Sequence, residues 1–176
     1  MPTKNRLAAF AAALGGSAVL GVLAGLIWAV VAPRALLQEV GHGEAQVVNA
    51  ESSAFIAADG WFCLIVAVGG VVTGLLGYRL LVRRAGWFAA AGLVIGAVAA
   101  VLLALWTGEH IGLGTYNHLL ATSASGTFFR ASLGLGAKSA LVFWPGFTSL
   151  VVLLAEYGGR RPDEYGGRRP DEVYAP

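Results

Sequence analysis

The chain has 176 residues, of which 57% are hydrophobic and only 12% charged, with a formal net charge of +2. The charged share is about half that of an ordinary soluble domain, which excludes a soluble core of this size and points to lipid as the solvent. So small a net charge excludes a nucleic-acid partner. Cys63 stands alone, which excludes an intramolecular disulfide framework and a Cys-based zinc site; within an apolar run it reads as a small hydrophobe.

The first apolar run, residues 7–32, follows Lys4 and Arg6. At roughly 1.5 Å per residue it reaches about 39 Å, enough to cross a hydrocarbon core of about 30 Å with tilt. Val30-Val31-Ala32 resembles a signal-peptide cleavage site. A signal core is only about 7–15 residues long, however, and Pro33 would follow the cut, so the run reads as a membrane helix. Residues 33–60 turn polar, with Glu39, His42, Glu44, Glu51 and Asp59. Within them Asn49-Ala50-Glu51-Ser52 separates Gln46-Val47-Val48 from Ala54-Phe55-Ile56, which permits a small hairpin. Asp59-Gly60 makes a stop before the second run, residues 61–82. Arg83 and Arg84 follow in a tight turn, and Arg79 snorkels to the same side.

The third run covers residues 87–106, and a second polar segment, 107–136, holds Glu109, His110, His118 and Arg130. The fourth run is 137–155. Trp144-Pro145 within it predicts a kink, because neighbouring helices satisfy the carbonyl that proline frees. Last comes an octapeptide repeat, Glu156 to Asp163 and then Glu164 to Asp171, each reading EYGGRRPD. Its Gly-Gly, Pro and balanced charges predict a disordered cytoplasmic tail over residues 157–176. The expected fold is an all-α membrane protein: a four-helix transmembrane bundle over residues 1–156, with two extracytoplasmic loops and the disordered C-terminal tail.

Orientation follows from the cations. Lys4, Arg6, Arg79, Arg83, Arg84, Arg160, Arg161, Arg168 and Arg169 fall on one side, and Arg34, Arg130 and Lys138 on the other. The richer side is the cytoplasm by the positive-inside rule, which places both chain ends there and the protein in the plasma membrane. Aromatic anchors agree, with Trp28, Trp61 and Trp106 at the outer boundary and Tyr78, Trp87 and Tyr157 at the inner one.

Small residues one helical turn apart occur at Gly21/Gly25, Gly70/Gly74 and Gly92/Gly96. Such pairs let helix backbones approach in lipid. Packing inside one bundle is the favoured reading, given 25 glycines; a surface for a second copy or another membrane protein is the other. Gly134-Leu135-Gly136-Ala137-Lys138-Ser139 superficially resembles a phosphate loop but lacks the Gly before Lys and faces outward. Glu109, His110 and His118 match no common metal-ligand spacing and read as solvated loop residues. Asp59, Glu109, Arg130 and Lys138 all fall near outer helix ends. Asp59 suits the N-terminal dipole of the second helix, whereas Lys138 opposes that of the fourth. An ion-pair cluster of these four, with Lys138 on Asp59 or Glu109, is the expected outer clasp.

No nucleophile elbow, paired catalytic carboxylates or cofactor signature can be placed, and no charge sits at the middle of any span. Ala57-Ala58-Asp59-Gly60-Trp61-Phe62, Trp106, Leu135-Gly136-Ala137-Lys138-Ser139-Ala140 and Trp144-Pro145 resemble an uncharacterised actinobacterial family of small four-span membrane proteins, some labelled permease components. The resemblance covers about residues 7–156. It implies a plasma membrane and four helices and supplies no activity. The segment 109–118 departs from the family's pattern, so His110 and His118 take no role from it. The expected function is a non-enzymatic accessory or scaffold component of a cell-envelope complex, without cofactor. A small permease or transporter subunit is the alternative, and an enzyme acting on lipid-linked material ranks last.

Overall fold

A computed structural model describes residues 3–41, 44–48, 53–124 and 126–159. The repeat beyond residue 159 and the segment 49–52 lie outside these residues. In chain order come α1 (Thr3–Val31), β1 (Leu36–Gly41), β2 (Glu44–Val47) and α2 (Ala54–Gly77). The second helix continues through a π-helical turn (Tyr78–Val82) and a last helical turn (Arg83–Ala85). Then follow α3 (Trp87–His110), α4 (Leu113–Thr122), β3 (Phe128–Arg130), a 3-10 turn (Lys138–Val142) and α5 (Phe143–Gly159). Among the described residues, four helical segments are long and apolar enough to cross a membrane: Arg6–Val31, Ala54–Ala85, Trp87–Thr122 and Lys138–Gly158.

Burial is inverted relative to a soluble bundle. The core is built largely from alanine with a few large plugs, Trp28, Phe62 and Trp144, whereas leucine, isoleucine and valine point outward along every long helix. Val30 is 84% exposed and Leu153 66%, against 0% for Trp28 and Trp144. Water would penalise that arrangement by roughly 25 cal/mol for each Å² of apolar surface left wet.

The glycine pairs decide which helices meet. A Cβ on Gly21 or Gly25 would run into the carbonyl of Ala100 or Ala104 of α3. On the facing helix, one on Gly92 or Gly96 would meet Phe10 or Ser17 of α1. Contacts ascend in step along both helices, so α1 and α3 run parallel. The second pair is α2 and α5, where a Cβ at Gly70 would lie 2.6 Å from the Trp144 carbonyl oxygen and one at Gly74 2.7 Å from Val151 Cβ. Here too the helices are parallel. All three small-residue motifs are thus taken up within the chain, and a second copy would have to dock elsewhere. Two buried hydrogen bonds reinforce the second pair: Trp144 Nε1 donates to Thr73 Oγ1 at 3.1 Å, and Thr148 Oγ1 to the Gly70 carbonyl at 3.0 Å. The turn between the second and third spans is made by Gly86 at φ +66, a backbone conformation that side chains with a Cβ rarely adopt.

Several expectations need correction. The second helix starts at Ala54, well before residue 61, so Ala54-Phe55-Ile56 is helical and no strand forms there. The hairpin lies earlier, between β1 and β2, where Leu37 and Glu39 alternate inward against outward Leu36 and Val40. The polar segment 107–136 is not a plain loop. It holds the end of α3, the helix α4 and the strand β3, and β3 pairs antiparallel with β1 to give a three-stranded sheet of order β2-β1-β3. Pro145 falls in the first turn of α5, where a missing amide costs little, rather than at a mid-helix kink. Trp28 is buried in the core instead of exposed as an anchor.

Replacing Gly21 or Gly70 by Leu should lower the stability of the detergent-solubilised protein by on the order of 1–3 kcal/mol, the cost of overpacking a close contact. Gly15, with open space around it, should accept Ala without loss. Equal thermal-unfolding midpoints for Gly21→Leu and Gly15→Ala would contradict the pairing.

Candidate functional site at the capped end

The sheet and α4 form a cap over one end of the bundle. Its inner face packs Leu37, Phe129 and Ala131 against Tyr116 and Leu120 of α4, with the Tyr116 and Phe129 rings edge to face at 5.8 Å. Glu39 is buried on the same inner face. The outer face exposes Leu36, Val40, Val48 and Phe128 alongside Gln46 and Arg130.

Beneath the cap the two carboxylates converge on one stretch of backbone. Asp59 Oδ1 accepts the Gly136 amide at 3.1 Å and Asp59 Oδ2 the Ala137 amide at 2.9 Å. Glu109 Oε1 accepts the Leu135 amide at 3.4 Å, a long bond. The segment before the fourth span is not helical, so its amides need partners from outside, and the carboxylates provide them.

The expected ion pair does not form. Lys138 is exposed, and among the described residues no carboxylate lies within salt-bridge reach of it. Asp59 is not at the start of its helix either, because α2 begins five residues earlier. Arg130 sits exposed on the outer face of the sheet, paired in register with Leu36. So the structure gathers Asp59 and Glu109 on the amides of residues 135–137, puts Lys138 next in the chain to that stretch without a carboxylate in reach among the described residues, and leaves Arg130 apart.

Two participants are absent from the set that the sequence suggests. Arg34 Nη2 donates to the Ala29 carbonyl at 3.3 Å and reaches the Ile111 carbonyl at 3.5 Å. Its guanidinium also lies against Gly112, which turns at φ +87. Arg34 thus ties the ends of α1 and α3. A cation just past a helix C-terminus is the signal that could have found it. Trp28 Nε1 donates to the Ala58 carbonyl at 2.9 Å, which joins α1 to the capped-end turns of α2. His110 donates from Nδ1 to the Trp106 carbonyl at 2.8 Å with its ring 4.5 Å from that indole, and His118 is exposed on α4. Among the described residues no three His, Cys, Asp or Glu side chains gather as a metal site.

Midway along the bundle, α1 and α2 leave a groove of about 410 Å³, lined by Leu20, Leu23, Ile27, Leu64 and Val68 with Trp144 at its back. Its lining is apolar throughout. No family model, curated protein or solved structure matches the chain. The likeness to an actinobacterial family therefore rests on its short motifs alone.

Removing the Asp59 carboxylate leaves the part-buried Ala137 amide without its partner, whereas the exposed Gly136 amide can turn to water, so Asp59→Ala should cost roughly 1–2 kcal/mol of stability. Lys138→Met should stay within about 0.5 kcal/mol, as for an exposed side chain without a partner. Chemical unfolding in detergent measures both. A Lys138→Met loss as large as that of Asp59→Ala would restore the ion pair.

Proposed function

We propose that the chain is a multi-pass integral protein of the plasma membrane, with both ends in the cytoplasm, acting as a non-enzymatic accessory or scaffold component of a cell-envelope complex. The inverted burial carries the membrane reading: an alanine and glycine core inside an outward band of Leu, Ile and Val is stable only in an apolar solvent. Orientation is supported by charge. Arg6, Arg79, Arg83 and Arg84 gather at the end opposite the cap, while the capped end carries Arg34, Arg130 and Lys138 together with Glu39, Glu44, Asp59 and Glu109. The accessory role is supported by how the outer polar groups are used. Asp59, Glu109 and Arg34 hold the chain's own backbone, and what remains open outside is a sheet face with exposed Leu36, Val40 and Phe128. Such a face suits a protein partner better than a small solute.

A second reading, the small permease or transporter subunit, draws on the groove between α1 and α2. Its lining offers no polar group to an ion or solute, which restricts cargo to apolar molecules.

A cytoplasm-active reporter fused after Pro176 should work, and one inserted at Ser125 should fail, with a periplasm-active reporter behaving oppositely. A cytoplasmic signal from Ser125 overturns the topology. For the role, a photo-cross-linking residue at Phe128 should give a discrete protein adduct in intact membranes, and the same residue at the lipid-facing Leu153 should not. Identical adducts from both positions would remove the outer sheet face from consideration.

A further inference from the structure

At the end opposite the cap, the second span leaves α-helical geometry for the π-helical turn Tyr78–Val82. Arg79 and Arg83, one turn apart, line a cleft of about 540 Å³ against α5, whose other walls include Leu75, Leu154 and Gly158. The Tyr78 hydroxyl donates to the Ala155 carbonyl at 3.1 Å, which holds the two helices together at the cleft. Both arginines are exposed, and neither has a hydrogen bond or ion pair among the described residues. Glu156 is the one described acidic residue at this end, and it does not line the cleft. Among the described residues, two guanidinium groups therefore stand above an apolar wall with no carboxylate lining the cleft.

The depth fits a lipid. Trp87 is 71% exposed and Tyr157 79%, and both sit at this same end. Exposed aromatic rings of this kind mark the headgroup level of a bilayer. The guanidinium fork matches a phosphate in two parallel hydrogen bonds. A basic pocket between spans at this level is suited to an anionic headgroup.

We propose that this cleft binds one anionic glycerophospholipid, its phosphate on Arg79 and Arg83 and its acyl chains along Leu75 and Leu154. The proposal rests on the membrane reading above but not on the protein's role. A neighbouring cleft beside Arg84, Trp87 and Phe88 serves as the internal control, since there Arg6 is already engaged over the Phe88 ring at 5.3 Å.

The test is native mass spectrometry of the full chain, purified in detergent and equilibrated with equal phosphatidylglycerol and phosphatidylcholine. Retained phosphatidylglycerol should exceed phosphatidylcholine by roughly tenfold or more, from two basic residues at an anionic surface. The Arg79→Gln, Arg83→Gln double variant should bring the ratio close to one. The matching double Lys variant should keep most of the preference, and Arg84→Gln should keep all of it. No preference in the wild type, or a preference surviving the double Gln variant, overturns the site. Equal loss in Arg84→Gln also overturns it, because the effect would then be diffuse surface charge. Displacement of the lipid by millimolar inorganic phosphate would replace the lipid with a plain phosphate ligand. Membrane insertion is read separately: a chain released by alkaline wash without detergent refutes the membrane reading itself, whereas a chain that needs detergent but shows no preference refutes the lipid site alone.

Discussion

Everything in this bundle depends on helix backbones touching through small residues. Helices joined one after another run antiparallel, yet the closest contacts here are between alternate helices that run parallel, α1 with α3 and α2 with α5. In lipid the side chains gain nothing by leaving their solvent, so association relies on close van der Waals packing and a few hydrogen bonds. Gly21, Gly25, Gly92 and Gly96 supply the first contact, Gly70 and Gly74 the second. The consequence reaches beyond the long helices. Locking α1 to α3 brings the segment after α1 beside the segment after α3, and there β1 finds β3 across more than eighty residues of chain. A sheet whose strands are three to six residues long would be marginal alone. Its ends are held by the bundle.

The use made of Asp59 and Glu109 follows from the same geometry. A lysine near the lipid boundary reaches water easily along its flexible stem, so Lys138 gains little from a carboxylate. The amides of residues 135–137 have no such freedom. They belong to backbone that is neither helix nor strand and is partly shielded by the outer ends of α2 and α3. An orphaned amide in such a place costs about 1–3 kcal/mol, more than an exposed ion pair returns. The short Asp59 side chain reaches two of the three amides and the longer Glu109 the third. Hydrogen-bond satisfaction of the main chain outweighs charge pairing of side chains here.

The same balance decides what can be read from residues alone. The spans are plain in the sequence because a run of about twenty apolar residues is rarely compatible with anything but a bilayer. The small-residue pairs are also visible, though not their partners, since spacing along one helix says nothing about which helix faces it. The cap is not legible. Leu36-Leu37-Gln38-Glu39-Val40 shows no apolar-polar alternation although its burial alternates, β3 is three residues long, and no local signal links them. The early start of α2 is hidden because Ala54 to Asp59 mixes small, aromatic and acidic residues at the edge of the apolar run. Trp28 misleads for a physical reason: an indole near a span end is usually an interfacial anchor, and only tertiary contact with Ala58 turns it inward. The carboxylate site is half legible. The positions of Asp59 and Glu109 single them out, but their partners are backbone atoms, which no sequence distinguishes.

The two ends of the molecule differ in how much of their charge is engaged, although Arg130 and Lys138 stand exposed at the capped end as well. At the capped end Arg34, Asp59 and Glu109 are occupied with carbonyls and amides of the chain itself. At the other end Arg79 and Arg83 remain unpaired among the described residues, whereas Arg6 has an aromatic partner. Between the ends no charged residue interrupts the spans, and the buried hydroxyls of Thr73 and Thr148 are engaged in helix pairing. A carrier of ions or polar solutes needs groups free to exchange partners at depth. In this bundle Thr73 and Thr148 hold helices together at depth, Ser17 Oγ is buried there without a hydrogen-bond partner among the described residues, and the described charged groups lie toward the two ends. The proposed contacts, with a protein at the capped end and with anionic headgroups at the arginine end, rest on that distribution.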